Sequence, residues 1–416
     1  LYELENAIRD YAWGSTTAIA HLLGRPESGK PEAELWIGSH PGATSTVRLP
    51  DGSKAPLDQM IARDPEHFLG AESVAEFGPL LPFLAKILAA SQPLSLQVHP
   101  SIEKAKAGFA RENAAGIPLD APNRNYRDEN HKPELIFALT PFEALCGFRP
   151  AAETREILLR VAASFDLVET EIPPLLLALV EDLAHPDESA GLRKAFERLI
   201  SGGEEVSHAT AMVAAVLISG APLAPDQAAL STVVSLNEKY PGDPGVLISL
   251  LLNRISLAPG EAVYLPAGNV HAYLHGLGVE VMACSDNVLR GGLTPKFIDV
   301  PELLDNIEFK PAAVPTLTPE ITGLGQELYQ PPFREFQLQR IELSPGGAPV
   351  PLAQAGAAVV MVIQGSVYLD SPKGDLQLGR GGSAFLPAPE APVNVHPVAG
   401  AEEQALAFAV TASTKA

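Results

Sequence analysis

Cysteine is nearly absent from this chain. Cys146 and Cys284 are the only two in 416 residues, and no CxxC pair occurs. That excludes a disulfide-built scaffold and a thiolate zinc site. Two thiols so far apart fit free, buried side chains in a reducing cytoplasm better than a disulfide. Positive charge is scarce as well: Lys and Arg number 29 against 50 Asp and Glu, for a net charge of −21. Nucleic acid demands a basic surface, so that class of partner is excluded. A chain this acidic can bind an anion only by gathering its few cations in one place. Long apolar runs are also missing, and none approaches the ~18 residues that cross a bilayer. The opening residues, Leu1-Tyr2-Glu3-Leu4-Glu5-Asn6, show neither the basic nor the apolar region of a signal peptide. A cytoplasmic protein with no membrane partner is expected.

What is present reads as an ordinary globular protein. Hydrophobic residues make up 46% and charged residues 19%, and the length suits two or three domains. Residues 1 to about 150 carry short strand-like runs at 43–49, 83–88, 94–99, 135–139 and 143–148, separated by Pro- and Gly-rich turns. Residues 34–41 add a strand-like piece ending in a turn, where His40 before Pro41 reads as structural rather than as a ligand. A helix is expected from 101 to about 109, with Ser101 as its N-cap. From 151 to 249 the texture becomes helical, with runs at 153–164, 174–183, 191–200, 208–219 and 226–240. No chemistry is visible in that block.

Strands resume at Arg254. Residues 256–268 read as a hairpin, two strands around a Pro259-Gly260 turn. Residues 378–388 repeat the pattern of 257–267 without a gap, after a buried-strand run with a Gly turn at 357–369. Two copies of one pattern imply two β-barrel domains of the same type. Where the first copy continues to His271, the second has Pro392, so the second barrel is expected to be structural.

Two stretches concentrate chemistry. Leu94-Ser95-Leu96-Gln97-Val98-His99-Pro100 alternates apolar and polar residues, so Gln97 and His99 share a face. Asn130-His131-Lys132-Pro133-Glu134 follows, and an extended backbone puts Lys132 and Glu134 on one face. An amide, an imidazole and a carboxylate directed inward form a candidate metal site. The competing reading is a solvent-facing Gln97 and a strand-capping His99.

These stretches, with Leu265-Pro266-Ala267-Gly268-Asn269-Val270-His271-Ala272-Tyr273 and Ser285-Asp286-Asn287-Val288-Leu289-Arg290-Gly291-Gly292-Leu293-Thr294-Pro295-Lys296, resemble type I phosphomannose isomerase. The resemblance extends to Tyr11-Ala12-Trp13-Gly14, residues 33–41 and Glu335-Phe336, nearly end to end. It implies a mainly β fold with a helical insertion: two cupin-like jelly-roll β-barrel domains plus an α-helical domain. The boundaries expected are 1–150 with 250–320 for the catalytic cupin domain, 151–249 for the helical domain and 321–416 for a cupin-like domain without ligands. It implies one Zn²⁺ per chain on Gln97, His99, Glu134 and His271, a catalytic Arg290, and contacts to sugar or phosphate from Lys86, Ser95, Lys132 and Lys296. Gly291-Gly292 departs from the family's usual Ala-Gly and loosens the loop after Arg290 without changing its chemistry.

The implied reaction interconverts mannose 6-phosphate and fructose 6-phosphate, with metal-assisted proton transfer between C1 and C2. A mixed N/O ligand set suits Zn²⁺ with an open position. The proton carrier is open among Glu280, Asp286, His275 and a zinc-bound water. Glu280 reads either as a buried base with a raised pKa or as an anchor for a neighbouring ligand. The expected partner is a small sugar phosphate, bound by a monomer. Two alternatives remain: isomerisation of another or unphosphorylated aldose, and a sugar-binding cupin without catalysis. An iron cupin oxygenase would show His-x-His, and here Gln97 takes the first place.

Overall fold

The computed structural model describes residues 1–49, 51–219 and 226–414. Every strand pairing in its three sheets is antiparallel. A ten-stranded sheet centres on the long strand His271–Ala283, which pairs along its length with Phe83–Ala90, Gln97–Val98, Glu134–Ala138 and Phe142–Phe148. A nine-stranded sheet runs from Glu320–Ile321 through Gln337–Leu343, Ala405–Thr411, Ala358–Gln364 and Ser383–Leu386 to Tyr2–Glu5, and ends at Lys54–Pro56. A four-stranded sheet, Val350–Pro351, Asn394–Pro397, Ser366–Ser371 and Gly374–Gly379, completes the C-terminal barrel. The architecture is mainly β with a helical region, as expected.

Period-two alternation decides what each strand buries. On Phe83–Ala90, the residues Phe83, Ala85, Ile87 and Ala89 enter an apolar core shared with Leu135, Phe137, Val279 and Val281. The alternate residues Leu88 and Ala90 join Ile136, Ala138, Phe142 and Tyr273 in a second core. Lys86, Glu134 and Glu280 lie on this second face, so it buries charged side chains among its apolar ones.

Helices Ala151–Leu167, Pro174–Asp182, Glu188–Ser201, Gly203–Ile218 and Gln227–Lys239 occupy the segment read as helical. Their apolar faces form one core with Leu96, Val98, Leu145, Ala272 and Leu289. The helices therefore brace the outer side of the strands that carry Gln97, His271 and Arg290. The helix after His99 runs Ile102–Ala114, longer than expected, and the Ser101 hydroxyl accepts from the Lys104 N–H at 3.3 Å as its cap.

The hairpin expectation needs correction. Leu252–Leu257 pairs with Phe142–Phe148, whereas Ala262–Leu265 pairs with Glu134–Ala138. Gly374–Gly379 and Ser383–Leu386 likewise pair with different partners. In both copies a glycine at positive φ, Gly260 at 97° and Gly381 at 82°, turns the chain from one partner strand to another. The repeat was real, but it encodes a crossing between strands rather than a hairpin. The expected strand at 94–99 is also shorter, confined to Gln97–Val98. Both cysteines are free.

Candidate metal centre and anion site

His99, Glu134 and His271 converge, each offering a ligand atom within 4.8 Å of the others, and all three are buried. Glu134 lies at the start of Glu134–Ala138, His271 at the start of His271–Ala283, and His99 just past Gln97–Val98. His99 Nε2 stands 3.3 Å from Glu134 Oε1 and His271 Nε2 3.3 Å from Glu134 Oε2. Gln97 sits opposite His271 in one ladder and opposite Arg290 in another.

The tautomers follow from the other ring nitrogens. His99 Nδ1 lies 2.8 Å from the Asn287 carbonyl oxygen, and His271 Nδ1 lies 3.0 Å from the Asn269 carbonyl oxygen. A carbonyl only accepts, so each Nδ1 carries the proton and donates. Each ring then points its Nε2 at a carboxylate oxygen. Burial pushes the His99 imidazole down to about 4, against the pull of Glu134, so the ring is neutral at pH 7. Burial works against the Glu134 carboxylate, yet the Lys132 ammonium beside it holds its pKa well below the usual range. Lone pairs facing a carboxylate repel unless a cation lies between them. His99 Nε2 and the Tyr273 hydroxyl are both buried with no hydrogen-bond partner. Two imidazole Nε2 atoms and one carboxylate suit Zn²⁺, so these residues fit the metal.

Around this centre the other expected residues fall into two groups. Lys132 is buried, with Nζ 3.2 Å from Glu134 Oε1. Lys86, read from sequence as a sugar contact, is already engaged: Nζ is 2.9 Å from Glu280 Oε2 and 3.5 Å from Glu34 Oε1, beneath the Trp36 ring. Burial disfavours this ammonium, but Glu280, Glu34 and Glu134 outweigh burial and raise its pKa. Burial also raises the Glu280 pKa, with Lys86 opposing. Glu280 thus anchors Lys86. Asp286 is exposed, 3.6 Å from His40 Nε2 and with no ion pair to Arg290. His275 is exposed because a bulge between Tyr273 and His275 breaks the alternation that would have turned it inward. Ser95 is half-buried beside Gln97 in the chain.

Arg290 is half-buried and Lys296 exposed, and among the described residues neither side chain has an ion-pair partner. Burial, then Arg127, lower the Arg290 pKa, while Lys296 is lowered by burial, Arg290 and Arg127. Sequence reasoning passed over Tyr273, Arg127 and Asn287. Asn287 is fully buried and ties the 127–130 loop to the ligands. Its Oδ1 accepts from the N–H groups of Arg127 and Asp128, and its Nδ2 donates to the carbonyls of Asp128 and Asn130. The signal for Tyr273 was available, because it stands two residues after His271 on one strand.

Comparison with known proteins agrees with this geometry. Residues 1–151 match the family model "Phosphomannose isomerase type I, catalytic domain". Mannose-6-phosphate isomerase from Escherichia coli K12 is 42% identical over 400 residues, covering 95% of this chain and 97% of that protein. The Homo sapiens enzyme of the same name is 34% identical over 420 residues, covering 94% of each. A variant of phosphomannose isomerase from Salmonella typhimurium superposes with a TM-score of 0.87 at 38% identity, covering 99% of both chains. A zinc-bound mannose 6-phosphate isomerase superposes with a TM-score of 0.85 at 37% identity, again covering 99% of both chains. The chain belongs to the type I phosphomannose isomerase family.

Proposed function

We propose that this protein is a zinc-dependent isomerase that interconverts mannose 6-phosphate and fructose 6-phosphate. The observation that carries the reading is the meeting of two imidazole Nε2 atoms and the Glu134 carboxylate at one buried point. His99, Glu134 and His271, with Gln97 beside them on the ladder, would hold the metal. When bound, Zn²⁺ supplies Lewis-acid support for the negative charge that develops on the sugar oxygens at C1 and C2. The chain's own residues do the rest. Lys132 Nζ, beside Glu134, presents ammonium protons to the same space. Arg290 keeps a guanidinium charge at neutral pH despite partial burial and stands opposite Gln97 in the ladder. Its freedom from carboxylates, shared with Lys296, leaves both cations for a phosphate.

Glu280 and Lys86 hold the floor of the site as a buried pair, and the Tyr273 hydroxyl, kept protonated by burial, lines it beside His271. The test is a coupled assay with mannose 6-phosphate and with free mannose, run after chelation and after zinc is restored. Turnover of the phosphorylated sugar that disappears with chelator and returns with zinc is expected. Equal or better turnover of free mannose would remove the phosphate role from Arg290 and Lys296.

A further inference from the structure

We propose that Arg127 is a third arm of the anion site, a specificity-determining residue that meets the substrate's phosphate together with Arg290 and Lys296; this rests on the reading of the substrate as a sugar phosphate. Three observations place it there. First, the backbone N–H of Arg127 is fixed by Asn287 Oδ1 at 2.7 Å, three residues before Arg290 in the chain, and the carbonyl of the same Asn287 accepts from His99. The loop bearing Arg127 is thereby tied to the metal ligands rather than hanging free. Second, the side chains of Arg127, Arg290 and Lys296 have no ion-pair partner among the described residues, although the chain carries 50 Asp and Glu. The neighbouring carboxylate, Asp128, is occupied by Ser285, Asn287 and the backbone of Asp286. Third, each of the three cations lies within the field of the others, since Arg127 acts on both Arg290 and Lys296.

Three like charges held together without counter-charge destabilise a fold unless an anion joins them. A phosphate monoester, with a charge near −2 and three acceptor oxygens, is the chemistry that matches, and the planar Arg fork suits it. Arg127 is exposed, so it would act on binding rather than on the chemical step.

The test uses the zinc-loaded full chain. In Arg127→Ala, KM for mannose 6-phosphate is expected to rise about 5- to 10-fold at low ionic strength, with kcat within about twofold of wild type. Arg127→Lys should recover most of the loss, and Arg127→Glu should deepen it. Raising the salt should shrink the difference between wild type and Arg127→Ala. Arg155→Ala, which removes an exposed cation on a remote helix, should change neither constant. Calorimetric titration with inorganic phosphate reads the same arm without turnover, and its Kd should weaken by a similar factor in Arg127→Ala. An unchanged KM and phosphate Kd, or a loss confined to kcat, would overturn the proposal. Failure of wild type to turn over mannose 6-phosphate while phosphate binding still depends on Arg127 would strike the substrate reading alone.

Discussion

His99 and His271 each commit one ring nitrogen to a backbone carbonyl, and that choice leaves the other 3.3 Å from Glu134, with the neutral His99 ring offering a bare lone pair there. Metal removal should therefore leave mutual repulsion at the centre of the barrel. Zinc at 100 times its Kd would stabilise the fold by about 2.7 kcal/mol, so chelated protein should melt several degrees lower in a thermal scan. His271→Ala should drop metal content from about one ion per chain to a small fraction and lower turnover at least ~100-fold, while circular dichroism stays native. Full metal content in that variant would remove His271 from the site. His99 was legible because strand spacing puts it on one face with Gln97, whereas His271 was legible only through the motif that resembles the family's. Asn287 was not, since its work is done by hydrogen bonds to residues about 160 positions away in sequence, which no local pattern records.

At the scale of elements, cross-strand register decides roles that sequence left open. Glu280 faces Lys86 across two paired strands, and only that pairing separates an anchor from a base. Replacing Glu280 by Gln should cost about 2–3 kcal/mol in urea unfolding, at the low end for a broken buried pair because Glu34 still faces Lys86. A variant of wild-type stability with turnover abolished would favour the base instead.

The helices give a pH-dependent case. Asp182 ends the helix Pro174–Asp182, an unfavourable end for a carboxylate, and is 2% exposed. Burial works against its charge, but Arg198 at 2.6 Å and Lys194 at 2.9 Å win and lower its pKa below the ordinary 3.8. A depressed folded-state pKa means stability that is present above the unfolded value and lost as pH falls through the folded one. Asp182→Asn should thus cost about 1–2 kcal/mol at pH 7, discounted because both partners are partly exposed, and the gap should narrow as pH is taken below the ordinary 3.8. Denaturant titrations at the two pH values read this directly.

For the whole molecule, the sequence showed two barrel-like repeats but not that they share a core. One cluster joins Leu35, Ile87, Phe137 and Val279 to Tyr329, Phe336, Phe385 and Phe408, and the Phe137 ring lies 5.2 Å from Tyr329 and 5.0 Å from Phe408. The N-terminal strand Tyr2–Glu5 also pairs directly with Ser383–Leu386. Pairing between strands just over 380 residues apart leaves no trace in hydrophobic periodicity. The division at 320 therefore cuts through packed apolar surface rather than a linker. Each large side chain uncovered loses about 1.5–3 kcal/mol, and four or five of them match the whole stability of an ordinary domain, about 5–15 kcal/mol. A fragment of residues 1–320 should accordingly lack a cooperative melt and expose apolar surface to a hydrophobic dye, although it keeps all four expected metal ligands. A fragment that melted cooperatively and bound one zinc would show that the first barrel stands alone, and that the shared core serves the C-terminal barrel instead.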